Sequence, residues 1–247
     1  MNRYDIALKK RHKVARETMA FYFERSEKQG SAQRAGSYFE KPRNFSFQAG
    51  QYVDMTIPDK LDPQDPNNIR SFSLASAPFE KELIIATRIR PDSPFKKVMQ
   101  QLQLADTVTI QGPLGEFLLP KKTTEPAVFI AGGIGITPFY SMLKQAAHDK
   151  RQQQLFLFYS NRTHADAPFL QELSYLAQTG LYTLISVFTQ EGDDYIDEAL
   201  LSRHLNNPMT PRYYIAGPPT FVGAMQRVLM RLGVSMKKVK LDEFTGY

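Results

Sequence analysis

The feature that most constrains the fold is a continuous apolar run followed at once by closely spaced glycines and a helix start. Residues 127–131, Ala-Val-Phe-Ile-Ala, contain no polar side chain, which is typical of a strand buried on both faces of a parallel sheet. Gly132-Gly133-Ile134-Gly135 follows, and Thr137 and Pro138 suit the N-cap and the first position of a helix. A strand, a glycine turn and a helix N-terminus can hold a dinucleotide pyrophosphate through backbone N–H groups. The alternative is a purely structural glycine turn.

The rest of this half of the chain repeats the alternation of strand and helix. Apolar strands are predicted at residues 155–159, 184–188 and 212–216, and helices at 169–179, 194–205 and 220–232. This order predicts an α/β unit built on a parallel sheet.

The end of the second strand carries information about the coenzyme. In a dinucleotide fold this position lies near the adenosine ribose, where an acid favours NAD and a cation favours the 2′-phosphate of NADP. The strand ends at Ser160-Asn161-Arg162, so Ser160 and Arg162 favour NADPH. Thr189-Gln190, after the third strand, is a second possible reader of the ribose, but the uncharged Gln190 weakens the assignment to NADP.

The first half of the chain contains a segment that combines a cation, an aromatic ring and several hydroxyls. In residues 70–78, Arg70, Phe72 and Leu74 alternate with serines as on a strand. A guanidinium is a planar fork that suits a phosphate, and a ring beside a hydroxyl suits the face and edge of a flat heterocycle. The alternative is an edge strand with a solvated arginine.

Arg70-Ser71-Phe72-Ser73 is similar to the Arg-x-Tyr/Phe-Ser flavin signature of the ferredoxin–NADP reductase superfamily. Further motifs that resemble the superfamily follow in its order: Gly112-Pro113-Leu114-Gly115-Glu116-Phe117, the glycine turn with Pro138, Gly217-Pro218-Pro219, and Glu243-Phe244. The resemblance implies a flavin-binding antiparallel β-barrel over residues 1–121 and an NAD(P)-binding α/β domain with a parallel sheet over residues 122–247. The proline-bounded linker 120–126 would join them.

The same resemblance implies the functional residues. Ser73, Glu243 and Phe244 would be catalytic, and the residues expected to bind FAD or the nicotinamide coenzyme are Tyr52, Arg70, Ser71, Phe72, Ser73, Thr87, Ser93, Phe95, Lys96, Gly132, Gly133, Gly135, Thr137, Pro138, Ser160, Arg162, Gly217, Pro218, Pro219 and Tyr247. Ser93 and Pro94 form a good helix start, which by itself predicts only a capped helix. In the superfamily the helix at this place binds the flavin pyrophosphate. Ala216 stands where many relatives have cysteine, and the spacing of Phe244 and Tyr247 leaves open which of them would cover the flavin.

Composition restricts the other classes of function. The chain has 247 residues and no cysteine, which excludes cysteine nucleophiles and Cys-ligated iron–sulfur clusters on it. The four histidines lack metal-ligand spacing, so no metal site is expected. The net charge of +6 suits anionic ligands and acidic partners, but no nucleic-acid motif accompanies it. No membrane span or signal peptide is apparent, and we expect a cytoplasmic monomer.

The resemblance therefore predicts an oxidoreductase that takes electrons from NADPH or NADH and passes them through bound FAD to a separate acceptor such as ferredoxin. Ferredoxins are usually acidic, which would suit a basic reductase. Two alternatives remain open from the sequence. The protein could reduce free flavin as a substrate, or it could be a non-catalytic module that senses nucleotides.

Overall fold

The computed structural model describes residues 2–25, 45–62, 64–65, 68–120 and 124–245. In the first half of the chain the elements are β1 (Arg3–Ala15), β2 (Thr18–Glu24), β3 (Tyr52–Thr56), β4 (Arg70–Ser73), β5 (Glu82–Arg88), α1 (Pro94–Gln101) and β6 (Thr107–Leu114). Among the described residues, no helix is both long enough and apolar enough to cross a bilayer.

These six strands form an antiparallel barrel. Their order is β4-β3-β6-β1-β2-β5, and the end of β4 meets β5 through the Leu74–Ile85 bridge and the bond from Ala75 N to Ile84 O. Phe21, Phe23 and other apolar side chains fill its interior. Inward-facing and outward-facing residues alternate along the strands of such a barrel.

The second half of the chain contains β7 (Ala127–Gly132), α2 (Ile136–His148), β8 (Leu155–Asn161), α3 (Leu170–Gln178), β9 (Thr183–Phe188), α4 (Glu198–His204), β10 (Arg212–Gly217), α5 (Pro219–Arg231) and β11 (Val239–Glu243). Its five strands are parallel in the order β11-β10-β7-β8-β9. Chain order reverses between β7 and β10, and ligands of such sheets bind at the carboxyl ends of the strands at this point.

The observed fold confirms the predicted fold class, a β-barrel joined to a parallel α/β unit. One local prediction was wrong. Thr137 does not cap α2, because Gly133–Gly135 forms a 3₁₀ turn that continues into the helix at Ile136, and the Thr137 hydroxyl donates to Ile134 O (3.2 Å) inside the helix. The proposed boundary at 121/122 falls outside the described residues and stays a prediction.

The two halves share a packed interface. The Ser141 hydroxyl on α2 donates to Ser76 O (2.6 Å), and Lys144 on the same helix pairs with Glu80 (2.6 Å). One continuous apolar cluster contains Ala75 and Ile84 from the barrel together with Phe139 and other residues of the sheet half. The elements that carry the site are thus fixed relative to each other by both apolar and polar contacts.

Candidate functional site

A cavity of about 560 Å³, here called the β4 cavity, lies between strand β4 of the barrel and strand β11 of the parallel sheet. Its lining residues are Tyr52, Ile69, Arg70, Ser71, Phe72, Ser73, Ala86, Lys96, Thr137, Asp242, Glu243, Phe244 and Thr245. Strand β11 reaches the cavity because it pairs in parallel with β10, with Asp242 opposite Ala216. The two halves of the chain therefore build this site together.

One hydrogen bond spans the β4 cavity. The Ser73 hydroxyl donates to Asp242 Oδ2 at 3.3 Å and joins β4 to β11. Burial raises the pKa of the Asp242 carboxyl to about 6, and the hydrogen bond from Ser73 acts in the opposite direction. Asp242 can therefore hold or release a proton near neutral pH beside a serine hydroxyl.

Cations gather at another side of the cavity. The Lys96 side chain lies near the start of α1 and is 3% exposed, and burial, followed by the charges of Arg90 and Arg70, lowers its pKa to about 8. The Arg70 guanidinium lies 5.9 Å from the centre of the Phe95 ring. The charges of Arg70 and Lys96 repel each other, so an anionic group bound between them would relieve that repulsion. These residues fit the pyrophosphate of a flavin dinucleotide.

In the glycine turn between β7 and α2, Gly135 is tightly packed and Gly133 faces open space. A Cβ on Gly135 would lie 2.3 Å from Ala216 O, so this glycine is required by the contact between the turn and β10. Gly133 has φ +55°, and a Cβ there would meet nothing within 4 Å. The backbone at Gly133 is therefore open to close approach by a ligand.

A larger cavity of about 1100 Å³, here called the glycine-turn cleft, begins at this turn. Its walls come from the end of β8 (Ser160, Asn161, Arg162), from one side of α5, and from the barrel segments 16–18 and 88–92. Asn161 is 7% exposed, and its side-chain amide interacts with the buried Tyr159 hydroxyl. Asn161 is therefore part of the packed wall of the cleft.

The structure brings most of the predicted site residues to these two cavities. Predicted residues that line the β4 cavity are Tyr52, Arg70, Ser71, Phe72, Ser73, Lys96, Thr137, Glu243 and Phe244, and those that line the glycine-turn cleft are Gly132, Gly133, Ser160, Arg162 and Pro218. Seven others line neither cavity: Thr87, Ser93, Phe95, Gly135, Pro138, Gly217 and Pro219. Tyr247 lies outside the described residues.

Several of the residues outside the two cavities have clear structural positions, and their predicted binding roles stay predictions. The Ser93 hydroxyl accepts the Lys96 N–H and caps α1, and the Phe95 ring is buried beside Phe72. Thr87 is fully buried in β5. The Gly217 carbonyl accepts the Phe244 N–H (2.9 Å), which positions the residue after β11 against the β4 cavity.

Sequence reasoning missed Asp242 and Asn161. Glu243 was selected as the acid, and it does line the β4 cavity, but the carboxylate bonded to Ser73 is that of Asp242. Both residues are acids in an alternating strand, so only the register of β11 distinguishes them. Asn161 was passed over for Ser160 and Arg162, because no local pattern marks an amide that tertiary packing places in the cleft wall.

Comparison with known proteins links this chain to oxidoreductases that bind a nicotinamide dinucleotide. Residues 129–227 match the family model of the oxidoreductase NAD-binding domain. The chain is 24% identical over 244 residues to flavohemoprotein A of Dictyostelium discoideum, covering 93% of this chain and 61% of the relative. It is 27% identical over 220 residues to the reductase component of propane 2-monooxygenase from Mycolicibacterium goodii, covering 83% and 61%. The chain thus spans about three fifths of the length of these curated relatives.

Solved structures share the fold over nearly the whole chain. A flavohemoglobin from Malassezia yamatoensis with bound FAD and heme superposes with a TM-score of 0.78 at 23% identity, covering 99% of this chain and 60% of that one. A ferredoxin NADP⁺ reductase from Neisseria gonorrhoeae with bound FAD and NADP gives 0.76 at 18% identity, covering 98% and 99%.

Proposed function

Because this chain has the two-domain fold of the ferredoxin–NADP reductase superfamily and matches the oxidoreductase NAD-binding domain, we propose that it is a FAD-dependent NAD(P)H oxidoreductase. It would take electrons from NADPH, or less readily from NADH, and pass them to a separate acceptor. The main support is the pair of neighbouring cavities, each walled by both halves of the chain. Thr137 lines the β4 cavity and bonds to Ile134, which lines the glycine-turn cleft, so the two sites meet at the start of α2.

The β4 cavity would hold FAD. Bound flavin would supply the redox chemistry, accepting two electrons as hydride and releasing them singly or in pairs. Arg70 and Lys96 would neutralise its pyrophosphate, and Tyr52, Phe72 and Phe244 would offer apolar surface to its ring system.

The Ser73–Asp242 pair would orient and protonate groups at the redox centre. The Ser73 hydroxyl is held by the carboxylate while Asp242 is ionised, and a protonated Asp242 can instead donate a hydrogen bond. Because its pKa is about 6, both states are accessible near neutral pH. Ser73 would position the nicotinamide and the flavin edge, and Asp242 would hold the proton that accompanies electron transfer.

The glycine-turn cleft would hold the coenzyme. Gly132 and Gly133 would receive its pyrophosphate, and Ser160 and Arg162 would face the adenosine ribose. The cleft also contains the acid Asp166, but its carboxylate accepts a hydrogen bond from Thr163 (2.7 Å) and lies 3.7 Å from Arg16. Because Asp166 is already paired, the positive charge of Arg162 would decide the preference, which favours NADPH over NADH.

The electron acceptor would be a separate redox centre. The relative from M. goodii is named as the reductase component of a monooxygenase, which is a precedent for electron delivery to a partner. Ferredoxin is our first candidate because the net charge of +6 would attract an acidic protein at long range.

Rapid mixing with reduced coenzyme tests this function. The purified protein is expected to be yellow, with FAD in near-equal amount, and its flavin absorbance should bleach faster with NADPH than with NADH. Ferricyanide and then ferredoxin would follow as acceptors. A colourless protein that reduces added flavin would favour the free-flavin reductase, and failure to oxidise either coenzyme with any acceptor would favour the non-catalytic sensor. Faster reduction by NADH would contradict the role of Arg162.

A further inference from the structure

The arginines that line the glycine-turn cleft differ in whether an acid already neutralises them. Six arginines line this cleft: Arg16, Arg88, Arg90, Arg162, Arg227 and Arg231. Arg88 pairs with Glu17 (2.7 Å), Arg90 with Asp92 (2.7 Å), Arg16 with Asp166 (3.7 Å), and Arg231 with Glu198. Within the part of the chain that the structure describes, the side chains of Arg162 and Arg227 form no hydrogen bond or ion pair. The unneutralised charge of the cleft is therefore concentrated at these two positions.

Arg227 lies on α5, well away from the glycine turn. It is eight residues after Pro219, which places it about 12 Å along the helix from the end that adjoins the turn. That distance separates it from the glycine turn, which is the site that suits a coenzyme pyrophosphate.

The Arg227 guanidinium is directed back along the helix toward the cleft. Gly223 lies one turn earlier, and a Cβ built there would be 3.6 Å from Arg227 Nη1. Helical side chains lean toward the N-terminus of their helix, and the absence of a side chain at residue 223 leaves room for this conformation. The same helix face carries Ala224 and Val228, which also line the cleft.

A guanidinium without an acidic partner, such as that of Arg227, is suited to bind a phosphate. Dinucleotide folds that bind NADP commonly place a cation near the 2′-phosphate, but in this chain the second residue after β9, where such a cation could stand, is the uncharged Gln190. We propose that Arg227 is a specificity-determining residue that binds the adenosine 2′-phosphate of NADPH together with Arg162, from a different wall of the glycine-turn cleft. This inference rests on the proposed function in that NADPH is taken as the electron donor.

Direct binding of nucleotide fragments tests the proposal without turnover. Adenosine 2′,5′-bisphosphate and 5′-AMP differ only in the 2′-phosphate, and calorimetry on the full chain with its flavin gives the dissociation constant of each. Arg227→Ala should weaken binding of the bisphosphate about tenfold, as expected for loss of one charge-assisted hydrogen bond, and change that of 5′-AMP less than about twofold. Arg227→Lys should restore part of the loss, because it keeps the charge.

Arg203→Ala serves as the matched control, since it removes the same charge from an exposed position on α4 outside the cleft. It should leave the ratio of the two dissociation constants unchanged. Equal weakening of both fragments by Arg227→Ala, or no weakening, would overturn the proposal, as would equal binding of both fragments by the wild type. Selective binding without coenzyme oxidation would instead refute only the proposed function, and in that case the role of Arg227 would stand.

Discussion

At the scale of single residues, we expect Asp242 to make the free energy of unfolding depend on pH. Its carboxyl is buried between the barrel and the sheet, and its pKa is about 6 against an ordinary value of 3.8. The folded protein therefore keeps a proton that the unfolded chain loses between these two pH values. The stability contributed by the neutral carboxyl is complete below about pH 4 and is lost as the pH rises through 6.

Asp242→Asn should remove this dependence. Relative to the wild type, the variant is expected to gain up to about 3 kcal/mol in free energy of unfolding between pH 4 and pH 7, since a shift of one pKa unit corresponds to about 1.4 kcal/mol. Urea unfolding of the flavin-free protein across this range measures the difference. Asp59→Asn, at an exposed position, is the control and should show no such trend. A wild-type-minus-variant difference that is flat with pH would contradict a raised pKa for Asp242.

At the scale of elements, the glycine turn predicts two different phenotypes from similar substitutions. Gly135→Ala would force a Cβ to within 2.3 Å of a backbone carbonyl on β10, so we expect a loss of about 3 kcal/mol in stability. Gly133→Ala has free space but a φ of +55°, which costs only about 1 kcal/mol.

Thermal unfolding and nucleotide binding distinguish the two cases. Gly133→Ala should fold and yet lose affinity for 5′-AMP, because its methyl group projects into the cleft where the phosphate would approach. A Gly133→Ala protein with unchanged affinity would show that the turn does not contact the nucleotide. A fully stable Gly135→Ala protein would show that the turn and β10 can separate at little cost.

The sequence predicted those parts of the candidate site that consist of consecutive residues. The apolar strand before Gly132 and the alternation around Arg70 each predicted one segment of a cavity wall, because the residues of that segment are neighbours in sequence. Asp242 and Arg227 could not be found this way. The choice between Asp242 and Glu243 depends on the register of β11 against β10, and the role of Arg227 depends on which face of α5 turns toward the cleft.

At the scale of the whole molecule, the interface between the halves predicts a single cooperative unfolding transition. The apolar cluster crosses the interface, and Lys144 and Glu80 are mostly buried in it, with 14% and 26% of their side chains exposed. Burial lowers the pKa of Lys144 while Glu80 opposes that change, so loss of one partner leaves a poorly solvated charge.

Lys144→Ala should lower the free energy of unfolding by about 2 kcal/mol and keep one transition. Far-UV circular dichroism follows the whole chain, and release of flavin fluorescence follows the β4 cavity. Lys81→Ala, at an exposed site one residue from Glu80, is expected to have little effect. Separate transitions by the two probes in the wild type would show that the halves unfold independently.

The contact between Ser141 and Ser76, and the apolar cluster around it, also affect how proteins with this two-domain fold can diversify. A chimaera that joins this barrel to the parallel-sheet half of a distant homologue would bring together two interface surfaces that did not evolve to pack against each other. It would lose the Ser73–Asp242 bond at the same junction. Recombination that preserves activity should therefore transfer both halves together as one unit. Changes of coenzyme preference should arise by point substitution inside the glycine-turn cleft.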